Sequence, residues 1–170
     1  MRTIIVEPYS ETWPMEFQKI CRELTAALGS AALSVEHVGS TAVPGLPAKP
    51  IIDIDVIIEG YDVFPEVVCR LAAIGYTHVG DKGIPTREAF DYASKPGLMP
   101  HHLYVCPESS PELRRHLALR DYLRAHPEAA AEYGRVKQEG ASLYPHDIDA
   151  YIAHKSACIL NIYRRAGLDV

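Results

Sequence analysis

The run "IIDIDVII", Ile51 to Ile58, constrains the chain more than any other stretch. Apart from its two aspartates it is built of isoleucine and valine, the composition of a buried strand. Side chains alternate along a strand, so Asp53 and Asp55 share a face with Ile51 and Ile57. Ile52, Ile54, Val56 and Ile58 point the other way, into a core. The two aspartate Cα atoms then stand roughly 6.5 Å apart. Carboxylates held that close repel each other unless a cation joins them, and hard divalent cations suit such oxygen ligands. The competing explanation is a strand with one solvated face, common in antiparallel sheets.

The residues just upstream favour a site. "LSVEHVG" alternates as a strand, with Leu33, Val35 and His37 against Ser34, Glu36 and Val38. Gly39-Ser40-Thr41 follows it, a turn whose backbone N–H groups can approach a phosphate. Glu36 or His37 is expected to orient that turn by hydrogen bonding. Ser40 to Pro50 reads as a loop, because it holds three prolines and a glycine. Lys49 sits between Pro47 and Pro50, held near the loop where it can meet phosphate or neutralise an aspartate. An ordinary exposed lysine is the plainer alternative.

The remaining pattern predicts a β-α-β-β-α-β-β-β order followed by three helices. Ile4–Val6 is a short strand candidate ended by Pro8. A helix runs from about Glu11 to Leu28, with Ser10 available as a cap, Phe17, Ile20, Leu24 and Leu28 at helical spacing, and Gly29 as its stop. A second helix has Asp62 as N-cap and ends at Gly75. "YTHVG", "TREAFDYAS" and "HHLYVC" read as strands, the last two joined as a hairpin through "KPGLMP". Ser110-Pro111 opens the first of three C-terminal helices, over about 110–125, 127–141 and 147–166. This is an α/β (α+β) arrangement: a mixed sheet with helices on one face and a C-terminal helical bundle leaning on it. Residues 1–107 form the α/β core and 108–170 a helical segment packed on it, together one compact unit.

Composition excludes several classes. At 170 residues and 48% hydrophobic the chain can build a core without disulfides or a structural metal. A net charge of -5 does not predict nucleic-acid binding. Cys21, Cys69, Cys106 and Cys158 form no C-x-x-C pair, so they read as buried free thiols, which suits a reducing compartment. No signal-peptide core and no apolar run of membrane-spanning length is visible, so a cytoplasmic protein without membrane association is expected. Ser40 lacks the G-x-S-x-G context of a hydrolase nucleophile.

The pattern Val38-Gly39-Ser40, a spacer, then Asp53-Ile54-Asp55-Val56 resembles the nucleotidyltransferase superfamily of DNA polymerase β-like fold. More narrowly, "HVGSTAVPGLPAKPIIDIDV", the later "HHLYVCPESSPELRRHLALRDYLRAHPEAAAEYGRVK" and "YIAHKSACI" are similar to the GrpB family, whose domains also occur fused to dephospho-CoA kinase. The resemblance implies a nucleotidyltransferase-like mixed sheet. It implies that Asp53 and Asp55 hold Mg²⁺ or Mn²⁺, that the Gly39-Ser40-Thr41 turn holds a nucleotide triphosphate, and that a third carboxylate on a later strand completes a two-metal site.

That third position falls on "HHLYV", where alignment of the hydrophobic pattern puts His102. Imidazole shifts preference toward zinc, iron, nickel or manganese, or else serves as a general base with an ordinary pKa of about 6.5. His101 and His102 as mere strand-opening residues is the plain alternative, and Asp91 is the rival third ligand if the strand directions differ. Arg87 is a candidate for the same cleft or a surface arginine. Tyr151 and Lys155 share a helix face, and the resemblance points Lys155 at phosphate. Arg114, Arg115, Arg120 and Arg124 make a basic helix face, either solvated or acceptor-binding.

Three functions compete: a metal-dependent nucleotidyltransferase acting on a hydroxyl, a non-catalytic module binding a nucleotide or CoA-type ligand, and a transition-metal protein using Asp53, Asp55 and His102.

Overall fold

The structure is a computed structural model and describes residues 3–170. Five strands form one sheet: β1 (Ser34–Val38), β2 (Ile52–Ile58), β3 (Tyr76–His78), β4 (Glu88–Tyr92) and β5 (His101–Pro107). Their spatial order is β1-β2-β5-β4-β3. β2 and β5 are parallel; every other pairing is antiparallel. The strongest strand of the sequence is therefore an interior one, paired with β1 on one side and β5 on the other, and the expected β4–β5 hairpin is present.

Five helices surround the sheet: α1 (Trp13–Leu28), α2 (Phe64–Ala73), α3 (Pro111–Ala125), α4 (Pro127–Leu143) and α5 (Ile148–Arg165). α1 buries Trp13, Phe17, Ile20, Leu24 and Leu28, an i, i+3, i+4 stripe. That stripe and Val67 and Leu71 of α2 pack on Ile52, Ile54, Val56 and Ile58 of β2 and Leu103 and Val105 of β5. Each of these four β2 side chains is fully buried, at roughly 1.5–3 kcal/mol apiece. The aspartate face is the opposite one.

Helices cover both faces, not one. α3 crosses the aspartate face, where Arg120 Nη1 donates to Glu36 Oε2 at 2.7 Å and to the His37 carbonyl at 3.1 Å. A second apolar cluster joins Val43 and Leu46 of the proline-rich loop to Leu123, Ala129, Ala130, Tyr133 and Ile162 of the last three helices. Gly134 of α4 lets the loop in: a Cβ there would stand 2.8 Å from Pro47 Cδ. The loop is thus clamped between sheet and helices.

Several local expectations shift. Ile4–Val6 is not a strand; the segment makes a single antiparallel bridge, Glu7 to Ala48, with N–H···O distances of 2.8 and 3.0 Å. The next hydrogen-bonded pair would set Ile5 against Pro50, which has no N–H to donate, so the ladder does not extend. Asp62 lies in a 3₁₀ turn, Tyr61–Val63, and α2 begins at Phe64 with Pro65 in its first turn. Ser10 Oγ accepts from Thr12 N rather than capping α1 itself. Ser110 does cap α3, accepting from Leu113 N at 3.2 Å. Of the four free cysteines, Cys106 is buried, Cys21 and Cys158 are half-buried and Cys69 is exposed on α2. Among the described residues no helix is long and apolar enough to cross a membrane.

Candidate functional site

Gly39 ends β1 directly on Asp53. Its φ is +72°, and a Cβ at this position would fall on Asp53 Oδ2 and lie 3.0 Å from Asp53 Cβ and Cγ. Only glycine permits both the conformation and the approach. Ser40–Ala42 then turns as a short 3₁₀ segment. His37 orients it: its Nε2 and Thr41 Oγ1 are hydrogen bonded at 2.9 Å, both residues are buried, and the ring stacks on Phe17 with centroids 4.7 Å apart. Burial, and the Arg124 charge after it, push the His37 pKa down to about 4, so this imidazole is neutral near pH 7.

The strand register sets His102 of β5 beside Asp53, and Tyr104 beside Asp55. Asp91 lies on β4, separated from β2 by β5; it is exposed, with Lys82 Nζ 3.5 Å away. His102, not Asp91, is the neighbour of the first aspartate. Its Nδ1 is 2.9 Å from Asp53 Oδ1, and its side chain is 52% exposed. With Nδ1 held by the carboxylate, the Nε2 lone pair is left for a ligand.

Asp55 is served by a residue that the sequence did not single out. His116 of α3 places Nδ1 2.6 Å from Asp55 Oδ2, and its Nε2 is 3.3 Å from Glu112 Oε1. Asp55 has no exposed surface, and its Oδ1 has no hydrogen-bond partner. Burial works to lower the His116 pKa, but the hydrogen bond and charge of Asp55, with the Glu112 charge, outweigh it and raise the pKa. The legible hint was Glu112 and His116 four apart on one helix face. Asp53 faces the cleft, whereas Asp55 is sealed beneath α3.

This donor set does not fit a two-cation centre. Each aspartate already gives one oxygen to an imidazole, Asp55 is covered, and β5 offers no third carboxylate. Among the described residues no three His, Cys, Asp or Glu side chains converge to hold an ion. His102 stands where the third ligand was expected, bonded to Asp53.

Cationic charge comes instead from lysines. A cavity of about 210 Å³ is bounded by Ser40, Thr41, Asp53, His102 and three ammonium-bearing side chains, Lys49 from the loop, Lys137 from α4 and Lys155 from α5. None of the three lysines is in an ion pair among the described residues. Lys137 is 3% exposed, and its Nζ lies 4.8 Å from the centre of the Tyr133 ring. Tyr151 lies under the other two, 5.7 Å from Lys49 Nζ and 4.9 Å from Lys155 Nζ. Burial, then the Lys155 charge, bring the Lys137 pKa down to about 7, with Asp53 opposing. Burial likewise lowers Lys155. Lys137 is the second functional residue missing from the sequence reading; "GRVKQEG" looks like a solvated helix until Tyr133 and the loop cover it.

The arginines are distributed differently. Arg87 lies over the Tyr104 ring at 4.3 Å, away from the lysine cavity, and its buried Nε lacks a partner. Arg120 and Arg124 are clamps: Arg124 Nε donates to the Ala42 carbonyl at 2.9 Å, fixing the turn from α3. Arg115 is paired with Glu112 at 3.8 Å.

The family model of the GrpB protein matches residues 3–165. The chain is 33% identical over 158 residues to the protein YqkA of Bacillus subtilis, covering 93% of this chain and 46% of YqkA. It is 34% identical over 182 residues to dephospho-CoA kinase of Mycolicibacterium paratuberculosis, covering 94% of this chain and 45% of the kinase. The chain thus spans about half the length of these relatives. Its fold superposes on the crystal structure of GrpB from Enterococcus faecalis with a TM-score of 0.83 and 36% identity, over 95% of this chain and 96% of the other. Cid1 in complex with its short product ApU shares the fold alone, at a TM-score of 0.55 and 14% identity over 78% of this chain and 42% of Cid1. The mixed sheet with its flanking helices is therefore nucleotidyltransferase-like, and the chain belongs to the GrpB family.

Proposed function

We propose that the cleft between the Ser40–Ala42 turn and helices α4 and α5 binds the phosphate chain of a nucleotide or a CoA-type coenzyme. One observation carries this reading: Lys49, Lys137 and Lys155 converge on one cavity from three separate elements with no carboxylate paired to any of them. Gathering like charges in a half-buried space costs stability. A polyanion supplies the missing counter-charge and makes charge-assisted hydrogen bonds to each ammonium group. The turn beside them adds the Ser40 hydroxyl and backbone N–H groups. A relative that is a dephospho-CoA kinase and a structural neighbour solved with a dinucleotide product are consistent with a ligand of this class. The test is thermal melting of the purified protein with ATP, UTP, CoA and inorganic tripolyphosphate. A ligand bound to the folded state raises Tm by mass action. Lys137→Met should remove the rise; no rise with any of the four compounds defeats the reading.

A second reading, nucleotidyl transfer to a hydroxyl, is favoured by the Asp53–His102 pair. Asp53 fixes the ring through Nδ1, so Nε2 can accept a proton from an acceptor hydroxyl as it attacks phosphorus. The three lysines would stabilise charge gathering on the departing phosphates. Mass spectrometry of a reaction with ATP and candidate acceptors tests it. A transfer product lost in His102→Asn supports transfer, while ATP binding without any product leaves the chain a binding module.

A further inference from the structure

The lysine cavity continues past Lys49. A second cavity of about 640 Å³ adjoins it, and Lys49, Ile51 and His102 stand in both walls. The rest of its lining has the opposite chemistry: Ile4, Ile5, Pro50, Pro100 and Ile148 provide hydrocarbon, with Thr3 and His146 as the further polar groups. It contains no carboxylate. Ile5 and Ile148 are 56% and 45% exposed, so this apolar wall faces open space rather than a packed core. The wall is also held in place. Ile4 N donates to the Pro145 carbonyl at 2.8 Å, the Glu7–Ala48 bridge ties the N-terminal segment to the loop, and two prolines stiffen the floor.

Size separates the two spaces. Ligand cavities for small organic molecules run to roughly 300–1,000 Å³. The lysine cavity alone falls below that range; the apolar one falls inside it. Resting on the phosphate reading above, we infer that the two cavities are one bipartite site for a single molecule. Its phosphates lie among Lys49, Lys137 and Lys155. Its uncharged, largely apolar or aromatic organic part passes between Lys49 and His102 and fills the cavity of Ile4, Ile5 and Ile148. This selects a nucleotide-type coenzyme over inorganic polyphosphate, which has nothing to place there. It also selects against a sugar phosphate, whose hydroxyls would be left unpaired against isoleucine and proline. His102 and His146 provide hydrogen bonds that orient the organic part.

Isothermal calorimetry with inorganic phosphate, tripolyphosphate, ATP, CoA and glucose 6-phosphate tests the inference. ATP or CoA should bind at least about tenfold more tightly than tripolyphosphate, and glucose 6-phosphate should gain nothing over inorganic phosphate. Ile148→Trp fills the cavity and Ile5→Asn makes its wall polar; both positions are exposed, and unchanged melting of the free variants checks their folding. Each variant should remove the ATP or CoA advantage while leaving tripolyphosphate affinity intact. If tripolyphosphate binds as tightly as ATP and CoA, or if the advantage survives both substitutions, the bipartite site is wrong and phosphate binding by the lysines stands. If none of the compounds binds, the phosphate reading fails and this inference falls with it.

Discussion

His116 Nδ1 meets Asp55 Oδ2 at 2.6 Å, joining the last aspartate of β2 to a helix that begins more than fifty residues later. The contact changes what the paired aspartates mean. Asp53 belongs to the cleft. Asp55 belongs to the joint between sheet and α3, and its charge is answered from within the fold.

Removing the imidazole leaves a fully buried carboxylate with neither oxygen bonded. His116→Leu should therefore destabilise the protein by about 2–4 kcal/mol in urea unfolding, below the full cost of a deeply buried pair because His116 is partly exposed. The effect depends on pH. The His116 pKa is raised in the folded state, so its contribution is complete below the unfolded value of about 6.5. It is lost as pH rises through the raised folded value. The stability gap between wild type and His116→Leu should shrink from about pH 6 toward alkaline pH. A gap that is flat or widens over that range contradicts the pairing.

Lys137 has the opposite sign. Its folded pKa, about 7, lies below its unfolded value, so the folded state carries fewer protons between the two. Its unfavourable contribution is full below about pH 7 and is relieved as pH rises toward about 10.4. Lys137→Met should raise stability by about 1–4 kcal/mol in mildly acidic buffer and abolish tripolyphosphate binding. Greater stability combined with lost binding marks a ligand-directed charge; a variant that is less stable at about pH 6 shows that the ammonium serves the fold.

Binding of ATP or tripolyphosphate should be unchanged in excess EDTA, because the counter-charge is on lysines and neither aspartate is arranged to share a cation. It should weaken as ionic strength rises, since exposed parts of the cavity are screened. Titration calorimetry with EDTA or with Mg²⁺ decides this directly: affinity that appears only with Mg²⁺ restores the metal-dependent expectation.

Gly39→Ala should cost about 2–4 kcal/mol and disorder the turn, because the new methyl meets the Asp53 carboxylate while φ stays positive. A melting temperature within error of wild type is the adverse result. Glycine at Gly97, whose φ is also positive, has no atom within 4 Å of an added Cβ and serves as the control for backbone strain alone.

Most of the fold was readable because its elements announce themselves locally. The Phe17-Ile20-Leu24-Leu28 stripe makes α1, the Ser110-Pro111 start makes α3, and the β2 run makes an interior strand of the sheet. Asp53, His102, Lys49 and Lys155 were visible in the same way, through their neighbours in sequence, and the structure gathers all four on one cavity. His116, Lys137 and the roles of Arg120 and Arg124 were not visible. Their partners are Asp55, the Ser40–Thr41 cavity, Glu36 and Ala42, each far away in sequence. A helix read alone shows them as a charged surface, and only the docking of α3–α5 on the aspartate face turns that surface inward. Ile4–Val6 fails for the converse reason: local β-propensity is present, but Pro50, which would face Ile5, cannot donate to a ladder.

Val43 and Leu46, clasped by Leu123, Tyr133 and Ile162, also set an order of events during synthesis. The ribosome releases the turn and both aspartates before β5, but the side chains that hold the loop down emerge only after it. A chain paused after β5 would carry a sheet whose cleft has two of its lysines still unmade and whose loop leaves Val43 and Leu46 uncovered. Completion of the cleft therefore waits for α3–α5 and rests on contacts between distant parts of the chain.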